Sequence, residues 1–396
     1  MKNARRILVL TLSFGSGHVR AAQAVARELR RQEPDADVMV CDALEGSRLL
    51  FRAIYVWPYW AMVRYAPSLW GRFFAARVAR GDRATAPTWA FHRGCAHVFK
   101  LIEEFRPETI VACEVAACEL AALAKREALT RARLVNVITD HEAEPVWVKA
   151  EADAYAVADE GVREQLCAWG ADASRVTVCG IPTDAAFHTR HDAEETRRRH
   201  GVSNDAHLVL LMGGGMGPTR MDKVAASLCR ADVPLHVVAV TGRDARARRR
   251  LARLKAEPPV TLRVLGWAED VAALMQAADV LLTKPGGLTT AEAALSALPS
   301  VFFDAIHGPE QRNAARVAEA GAALIADSHE AAAVATLSLL RDERERRRMS
   351  ERASKLSRPD AAAVIARLAL DACAQDASDV REASTHLRTA AARLTA

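Results

Sequence analysis

Twelve short apolar runs, many of them rich in β-branched residues, recur along this 396-residue chain and alternate with stretches rich in Ala, Arg and Glu. Nearly continuous hydrophobic runs are typical of strands buried on both faces of a parallel sheet. The stretches between them have the composition of crossover helices, so the pattern predicts an α/β fold with doubly wound parallel sheets. The predicted strands are Arg6–Ser13, Ala36–Asp42, Thr109–Cys113, Arg133–Thr139, Ala154–Ala158 and Val176–Cys179, then His207–Met212, Leu235–Thr241, Leu262–Leu265, Val280–Thr283, Ser300–Phe303 and Ala323–Ala326.

A polar segment rich in Arg, His and Glu separates the two sets of strands. We interpret residues 188–205 as a short helix plus linker between an N-terminal domain (1–187) and a C-terminal domain (206–358). Residues 359–396 are expected to form a helical tail. Two doubly wound domains joined in this way would face each other across a cleft at the carboxyl ends of their strands, where ligands bind in such folds.

Charge and cysteine content narrow the class of protein. The net charge is only +5, but residues 48–106 carry ten Lys and Arg against three acidic residues. The eight cysteines are scattered without a Cys-x-x-Cys pair, which predicts reduced, buried thiols in a reducing compartment. The N-terminus lacks a signal-peptide core, and no apolar run approaches the roughly 18–20 residues of a membrane-spanning helix. We therefore expect a cytoplasmic protein.

A glycine-rich turn follows the first predicted strand at Phe14–Arg20 and leads into a helix. Gly15 and Gly17 allow a ligand to approach the backbone closely, and a helix N-terminus offers unpaired N–H groups. A dinucleotide fingerprint would require glycine where Arg20 stands. The turn is better suited to presenting His18, although a helix cap with an incidental histidine remains an alternative.

Two further loops after predicted strands of the second domain suit phosphate. Leu211–Thr219 holds Gly213, Gly214 and Gly215, which disfavour regular structure and favour a loop whose amides face a pyrophosphate. Thr283–Glu292 is more specific. Five residues of this loop are assigned to phosphate binding or helix capping: Lys284, Gly286, Gly287, Thr289 and Thr290. Glu292 is assigned to two ribose hydroxyls, and the alternative is that it is a plain acidic residue that interacts with the helix dipole. Three such loops indicate a nucleoside diphosphate that carries a group to be transferred.

These segments together resemble one family, the monogalactosyldiacylglycerol synthases and bacterial processive diacylglycerol glucosyltransferases. The resemblance covers roughly residues 6–350 and rests on Gly15–Val19, Val137–Asp140, Cys179–Pro182, Gly213–Gly215, Thr283–Glu292 and Gly308–Asn313. The chain is also similar to the peptidoglycan N-acetylglucosaminyltransferases that use a lipid-linked acceptor. Both resemblances imply two Rossmann-like domains (the GT-B fold), a UDP-sugar donor, inversion to a β-glycoside, no cofactor and no essential metal.

The resemblance also implies roles for single residues. Asp140 falls at the position of the proposed general base, and a carboxylate there suits removal of the acceptor hydroxyl proton. His18 and His141 are competing bases. Glu310, with Gln311 in the same motif, matches the sugar-binding segment of the family. Pro309 stands where the family often has Gln, so one contact with a hexose hydroxyl is left unassigned. Further candidate phosphate partners, each of which could instead be a solvated surface residue, are Lys284, Thr219 and Arg243.

The segment 49–74 gathers nine aromatic residues within the locally basic region. Trp and Tyr favour the bilayer interface and Arg pairs with lipid phosphates, while Pro58 and Pro67 are expected to break the segment into pieces that lie on a membrane. The assigned acceptor and membrane residues are Gly17, Tyr55, Trp57, Tyr59, Trp60, Arg64 and Trp70. Nucleic-acid binding is disfavoured by the small net charge, whereas an ordinary hydrophobic hairpin over the sheet stays open.

The sequence therefore predicts an inverting transferase that moves a hexose from UDP-glucose or UDP-galactose to diacylglycerol at the cytoplasmic face of a membrane with anionic lipids. Rival interpretations are a transferase acting on a lipid-linked cell-wall precursor, a UDP-sugar epimerase, a dinucleotide oxidoreductase using Asp42, and a non-enzymatic sensor. The hexose, the number of sugars added and the oligomeric state are not determined by these patterns.

Overall fold

A computed structural model describes residues 4–203, 205–214 and 219–371. They form two six-stranded sheets in which every pair of neighbouring strands is parallel, with strand orders β2-β1-β3-β4-β5-β6 and β12-β11-β10-β7-β8-β9. The strands are β1 Arg6–Thr11, β2 Asp37–Asp42, β3 Thr109–Ala112, β4 Arg133–Val137, β5 Ala154–Val157, β6 Val176–Val178, β7 His207–Met212, β8 Leu235–Val240, β9 Val260–Leu265, β10 Val280–Thr283, β11 Ser300–Phe302 and β12 Ala323–Ile325.

All twelve predicted strands are present, and the predicted fold class is confirmed. Most of the predicted strands run one or two residues too far at their carboxyl ends, for example at Ser13 and Thr139. The polar residues that follow these strands leave the sheet because they belong to the loops that line the cleft. Hydrophobicity alone does not mark the point where the ladder stops.

The helices cover both faces of each sheet. They are α1 Ser16–Gln32, α2 Leu49–Phe51, α3 Trp57–Tyr65, α4 Pro67–Arg80, α5 Thr88–Gly94, α6 Ala96–Phe105, α7 Val115–Arg126, α8 Glu160–Ala168, α9 Ala193–Arg199, α10 Met221–Leu228, α11 Ala245–Leu251, α12 Val271–Ala277, α13 Gly287–Leu295, α14 Pro309–Glu319, α15 His329–Arg341 and α16 Glu343–Leu356. Short 3₁₀ turns lie at Pro145–Trp147, Ala173–Arg175 and Ala185–His188. Each sheet buries an apolar cluster on either face, as its continuous hydrophobic runs require.

The strand order places one topological switch point in each sheet. In the first sheet the order reverses between β1 and β3, and in the second it reverses between β7 and β10. Loops at the carboxyl ends of such strands diverge and leave a crevice for a ligand. The three glycine-rich loops predicted to bind phosphate follow β1, β7 and β10, so they all lie at a switch point.

The prediction that Pro58 breaks the aromatic segment is wrong. A π-helical turn at Arg52–Val56 joins α2 to α3 without interruption, and Pro58 lies in the first turn of α3. Pro67 does begin a new helix, since α4 starts at that residue.

The chain returns to the first domain after α16. Residues 361–371 are helical and pack with α1 on the first sheet, where Ile365, Ala366 and Ala369 are fully buried. This part of the predicted tail is therefore an element of the N-terminal core. The rest of the tail, from residue 372, lies outside the described residues.

The seven cysteines that the structure describes are free thiols; five of them are buried as predicted, whereas Cys41 and Cys167 are half-buried. Burial raises the pKa of Cys95, Cys113, Cys118 and Cys179 to about 12. Such thiols are poor nucleophiles. Among the described residues, no helix combines the length and apolar character needed to cross a bilayer.

The returning helix generates a stability prediction. Ile365→Ala should lower the free energy of unfolding by about 2–5 kcal/mol, because it leaves a cavity between the sheet and α1. Urea unfolding followed by circular dichroism measures this change. The control is Arg367→Ala at an exposed position of the same helix. Equal stability of both variants would show that the return of the chain does not stabilise the first domain.

Candidate active site

A cavity of about 430 Å³ lies between the carboxyl ends of the two sheets. The loops after β1, β3 and β4 line it on one side, and the loops after β7, β8 and β10 line it on the other. Helices α3 and α4 close it from the first domain, while the start of α14 closes it from the second. The cleft predicted from the sequence is therefore present, and loops of both domains line it.

Asn313 joins the two domains at the centre of this cleft. Its side chain is fully buried on α14, where Nδ2 donates to Asp140 Oδ1 (2.8 Å) and to the carbonyl oxygen of Pro285 (3.1 Å). Its Oδ1 accepts a hydrogen bond from the backbone N–H of His141 at 2.7 Å. One amide thus fixes the loop after β4 of the first domain against the loop after β10 of the second.

Gly287 allows these loops to meet. A Cβ atom at this position would lie 1.9 Å from the carbonyl oxygen of Thr139 and 2.8 Å from Asp140 Oδ1. Any side chain would push the two domains apart. The absence of a side chain brings the N-terminus of α13 next to the Asp140 carboxylate, and that end of a helix attracts negative charge.

A second bridge between the domains lies beside the first. His141 Nδ1 and Asp159 Oδ2 are 2.7 Å apart, and Arg316 Nε of α14 donates to the same Asp159 oxygen at 3.2 Å. Burial raises the pKa of Asp159, but the hydrogen bond and charge of His141 outweigh this effect and lower the pKa to about 2. Because Nδ1 of His141 is engaged by Asp159, His141 is placed poorly for the competing role of general base.

His18 lies at the start of α1 and lines the cavity. Its Nδ1 is 2.9 Å from the hydroxyl oxygen of Thr139. Burial lowers the pKa of His18, and the opposing charge of Asp140 recovers only part of that loss. The imidazole is therefore neutral at physiological pH and close to Asp140.

The loop after β10 presents a half-buried ion pair. Lys284 Nζ donates to Glu310 Oε1, and the backbone N–H of Ile306 donates to Glu310 Oε2 at 2.9 Å. Gly214, with φ of +75°, lies directly over the lysine, since a Cβ there would lie 2.8 Å from Lys284 Cε. The glycine loop after β7 and the lysine after β10 thus meet at the switch point of the second sheet.

Glu292 is buried on α13 and lines the cavity. Its Oε1 is 3.9 Å from Arg20 Nη1, and that oxygen accepts no hydrogen bond from the described part of the chain. Burial raises the pKa of Glu292 to about 7, against the lowering effect of Arg20. An unsatisfied, buried carboxyl oxygen at a cavity wall is an acceptor site for a ligand hydroxyl.

Several residues that were predicted to bind the UDP-sugar do not line the cavity. Thr290 is buried and its hydroxyl donates to the Gly287 carbonyl at 2.7 Å, so this hydroxyl supports the helix. Gln311 accepts from the Gly308 N–H at 3.3 Å and caps α14. Arg243 stacks over Trp267 at 5.2 Å, and it is Trp267 that lines the cavity.

Of the remaining glycines of the predicted phosphate loops, some line the cavity and others do not. Gly17, Gly214 and Gly286 line the cavity, together with Thr289. Gly213 instead packs against Thr219 and Met221, where a Cβ would lie 2.6 Å from the threonine hydroxyl. Gly215 lies outside the described residues.

The aromatic segment has an inner and an outer face. Tyr55, Tyr59, Trp60 and Trp70, which were assigned to the acceptor or the membrane, line the cavity. They point inward because α3 and α4 pack over the switch point of the first sheet, and Trp70 Nε1 donates to the His307 carbonyl at 3.1 Å. The outer face keeps the exposed apolar side chains Leu49, Leu50, Trp57, Tyr65 and Leu69, with Arg64 among them, whereas the exposed Ile54 and Phe73 also line the cavity.

Sequence reasoning missed several polar residues of the site, namely Arg77, Glu114, Glu144 and Asn313. Arg77 pairs with the buried Glu144, and burial raises the pKa of Glu144 to about 7 although Arg77 opposes it. Glu114 follows β3 directly, so the switch point between β1 and β3 would have located it once the strand order was known. Asn313 lay inside a recognised motif, but no local signal distinguishes it from a surface residue.

The comparisons with known proteins agree with this geometry. Residues 18–183 match the family model of monogalactosyldiacylglycerol (MGDG) synthase, and residues 197–356 match that of the glycosyl transferases group 1. Two curated relatives named processive diacylglycerol beta-glucosyltransferase are each 26% identical to this chain. The protein from Bacillus cereus (strain ATCC 10987 / NRS 248) matches over 90% of this chain and 91% of its own length. The protein from Bacillus licheniformis matches over 92% of this chain and 94% of its own length.

Solved structures show the same fold at low sequence identity. The Acinetobacter baumannii MurG structure superposes with a TM-score of 0.61 at 16% identity, covering 93% of this chain and 99% of that one. The Anabaena HepE complex with UDP-glucose superposes with a TM-score of 0.53 at 16% identity, covering 95% of this chain and 99% of that one. The Staphylococcus aureus MnaA–UDP structure superposes with a TM-score of 0.58 at 13% identity, covering 90% of this chain and 94% of that one. The resemblance drawn from the sequence and the GT-B fold are both confirmed.

The Asn313 bridge generates a prediction about closure of the cleft. Asn313→Ala leaves the Asp140 carboxylate, the Pro285 carbonyl and the His141 N–H without this partner, so it should favour open conformations by about 5- to 150-fold. Single-molecule energy transfer between labels on the two domains measures the shift. Arg312→Ala, at the exposed neighbouring position, is the control. An unchanged distance distribution in the Asn313 variant would contradict the bridge.

Proposed function

We propose that this chain, a glycosyltransferase of the GT-B fold related to the MGDG synthases and the processive diacylglycerol glucosyltransferases, moves a hexose from UDP-glucose or UDP-galactose to diacylglycerol with inversion, giving a β-glycosyl-diacylglycerol. The observation that carries the proposal is the closed contact at Gly287, which sets the Asp140 carboxylate beside the N-terminus of α13. A proton acceptor and a site for the leaving diphosphate therefore face the same cavity. The names of the curated relatives supply the acceptor class.

The second domain holds the donor in this proposal. Glu292 accepts the ribose hydroxyls through its free Oε1, while the N-terminus of α13 and Lys284 face the diphosphate. Negative charge grows on the diphosphate as the glycosidic bond breaks. Backbone N–H groups and an ammonium group that are already in place stabilise that charge without reorganisation, so the proposal needs no metal ion or cofactor.

Glu310 orients the hexose. Its carboxylate lies at the cavity wall, bonded to Lys284 and to the Ile306 N–H, which fixes its rotamer. A carboxylate held in this way accepts hydrogen bonds from adjacent sugar hydroxyls. The same contact neutralises Lys284 until the diphosphate arrives as a second anion.

Asp140 takes the proton of the acceptor hydroxyl as that oxygen attacks the anomeric carbon. Asn313 Nδ2 donates to Oδ1 of Asp140, which leaves Oδ2 of Asp140 for the acceptor hydroxyl. His18 is neutral and bonded to Thr139, so we assign it to the acceptor side of the cavity. We assign the base to Asp140 because its Oδ2 is not used by Asn313, whereas His18 Nδ1 is already engaged by Thr139.

The outer face of α2–α4 is proposed to dock on the inner leaflet of the cell membrane. It combines the exposed apolar side chains with arginines, and a surface of this composition partitions to an anionic interface. The inner face of the same helices lines the cavity. A lipid acceptor can therefore pass from the membrane to Asp140 along one pair of helices.

The base assignment predicts that Asp140→Asn lowers transfer by about 10²–10⁴-fold and leaves UDP affinity unchanged, because the amide keeps the Asn313 contact but cannot take a proton. The assay mixes labelled UDP-glucose or UDP-galactose with diacylglycerol vesicles, and calorimetry measures UDP binding. Glu142→Gln, on the same cavity wall, is the matched control. If His18→Gln is inactive while Asp140→Asn is active, the histidine is the base.

The docking assignment predicts that Trp57→Ser combined with Tyr65→Ser weakens binding to anionic vesicles by about tenfold or more, since both side chains lie on the outer face and lose apolar contact with lipid. Co-sedimentation measures the bound fraction. Val334→Ser, an exposed apolar position on α15 of the second domain, should bind as the unaltered chain does. Unchanged sedimentation of the double variant would place the membrane contact elsewhere.

A further inference from the structure

The part of the cavity that belongs to the first domain is an aromatic compartment. Tyr59 lies at its centre, in edge-to-face contact with Phe14 at 5.1 Å and with Trp70 at 4.9 Å between ring centroids. Its walls are formed by Phe14, Tyr55, Tyr59, Trp60, Trp70 and Phe74. We refer to these six residues and the space between them as the aromatic compartment. Polar groups in such surroundings need partners, because an apolar wall cannot replace water.

Glu114 is a polar group on the wall of this compartment. It immediately precedes α7 at the switch point of the first sheet, and only 7% of its surface is exposed. Oε2 accepts hydrogen bonds from the N–H groups of Ala116 (2.7 Å) and Ala117 (3.2 Å). For Oε1, the described part of the chain provides no hydrogen-bond partner, and Glu114 lines the cavity.

The surroundings of Glu114 favour its neutral form. Burial raises its pKa to about 8; the two amide hydrogen bonds oppose the rise, and the charges of Glu119 and Glu144 add to it. Both neighbouring carboxylates are already engaged, Glu119 by Lys149 at 3.4 Å and by Thr85, and Glu144 by Arg77. Because Oε2 is occupied by two donors, the acidic proton resides on Oε1.

Three other donors near this position are used within the protein. The Tyr55 hydroxyl donates to Thr85 Oγ1 at 2.9 Å, and Trp70 Nε1 donates to the His307 carbonyl. Arg77 is held by Glu144. The O–H of Glu114 is therefore a hydrogen-bond donor that faces the aromatic compartment without an acceptor from the described residues.

We propose that Glu114 donates this hydrogen bond to an acyl ester carbonyl of the lipid acceptor, and so selects ester-linked over ether-linked glycerolipids. The inference rests on the proposed transfer to diacylglycerol. A diacylglycerol has two ester carbonyls, which only accept hydrogen bonds, next to the free hydroxyl that Asp140 deprotonates. A carboxylic acid complements a carbonyl, whereas a carboxylate would complement a hydroxyl.

The test compares diacylglycerol with a dialkylglycerol of equal chain length, in the same vesicles and with the same labelled UDP-hexose. The unaltered protein should prefer the diacyl lipid by about 3- to 10-fold in kcat/KM, the worth of one neutral hydrogen bond. Glu114→Leu should remove the preference, so that the diacyl and dialkyl values become equal. Glu114→Gln should keep the preference, because its amide N–H replaces the O–H.

The pH dependence is a readout that a packing role would not move. Ionisation removes the proton that Glu114 donates, so the preference for the diacyl lipid should disappear as the pH rises through about 8. Glu114→Gln should keep its preference across pH 7 to 9. The measurement on the unaltered protein needs no variant and remains decisive if a substitution prevents folding.

The outcomes separate this inference from the proposed function. Transfer to diacylglycerol with no diacyl preference at any pH, or a preference that survives in Glu114→Leu, overturns the role of Glu114 alone. Loss of transfer to both lipids in Glu114→Gln, with normal UDP binding, would make Glu114 a proton acceptor and also overturn it. No transfer by the unaltered protein to either lipid would overturn the proposed function itself.

Discussion

The buried side chain of Asn313 is the interaction on which the arrangement of this site depends. It satisfies groups from both domains at once, and Gly287 beside it lets the two backbones approach to contact distance. Without this contact, Asp140 and the N-terminus of α13 would belong to separate surfaces. The closed cleft turns them into one site, because a proton acceptor and a cradle for a leaving anion become neighbours only when the domains meet.

Burial gives the two sides of the cleft different electrostatic character. On the side of the second domain, Lys284 and a helix N-terminus face the cavity, while Glu292 keeps a free oxygen. On the side of the first domain, the carboxyl groups of Glu114 and Glu144 lie among aromatic rings, where burial raises the pKa of each above its ordinary range. The two sides of the cleft therefore differ in polarity, as the proposed charged donor and apolar acceptor would require.

The aromatic helices link the cleft to the outside. Because a helix presents side chains in all directions, α3 and α4 place one set of aromatic residues in the cavity and leave another exposed. The π-helical turn before α3 carries the chain past Pro58 without a break, which keeps the helical path continuous from Leu49 to Tyr65. One element can therefore serve both a surface and a site.

The sequence by itself determined the two sheets and the loops that serve them. Continuous apolar runs specify buried parallel strands, and glycines after a strand specify a tight turn, so Lys284 and Glu292 were predicted from local pattern, whereas Asp140 was predicted from the family resemblance. Tertiary structure decided the rest. Trp60 faces inward, Thr290 and Gln311 complete their own helices, and Glu114 and Asn313 enter the site. The direction of a side chain and its loss of solvent depend on which elements pack against it, and residues far apart along the chain fix that packing.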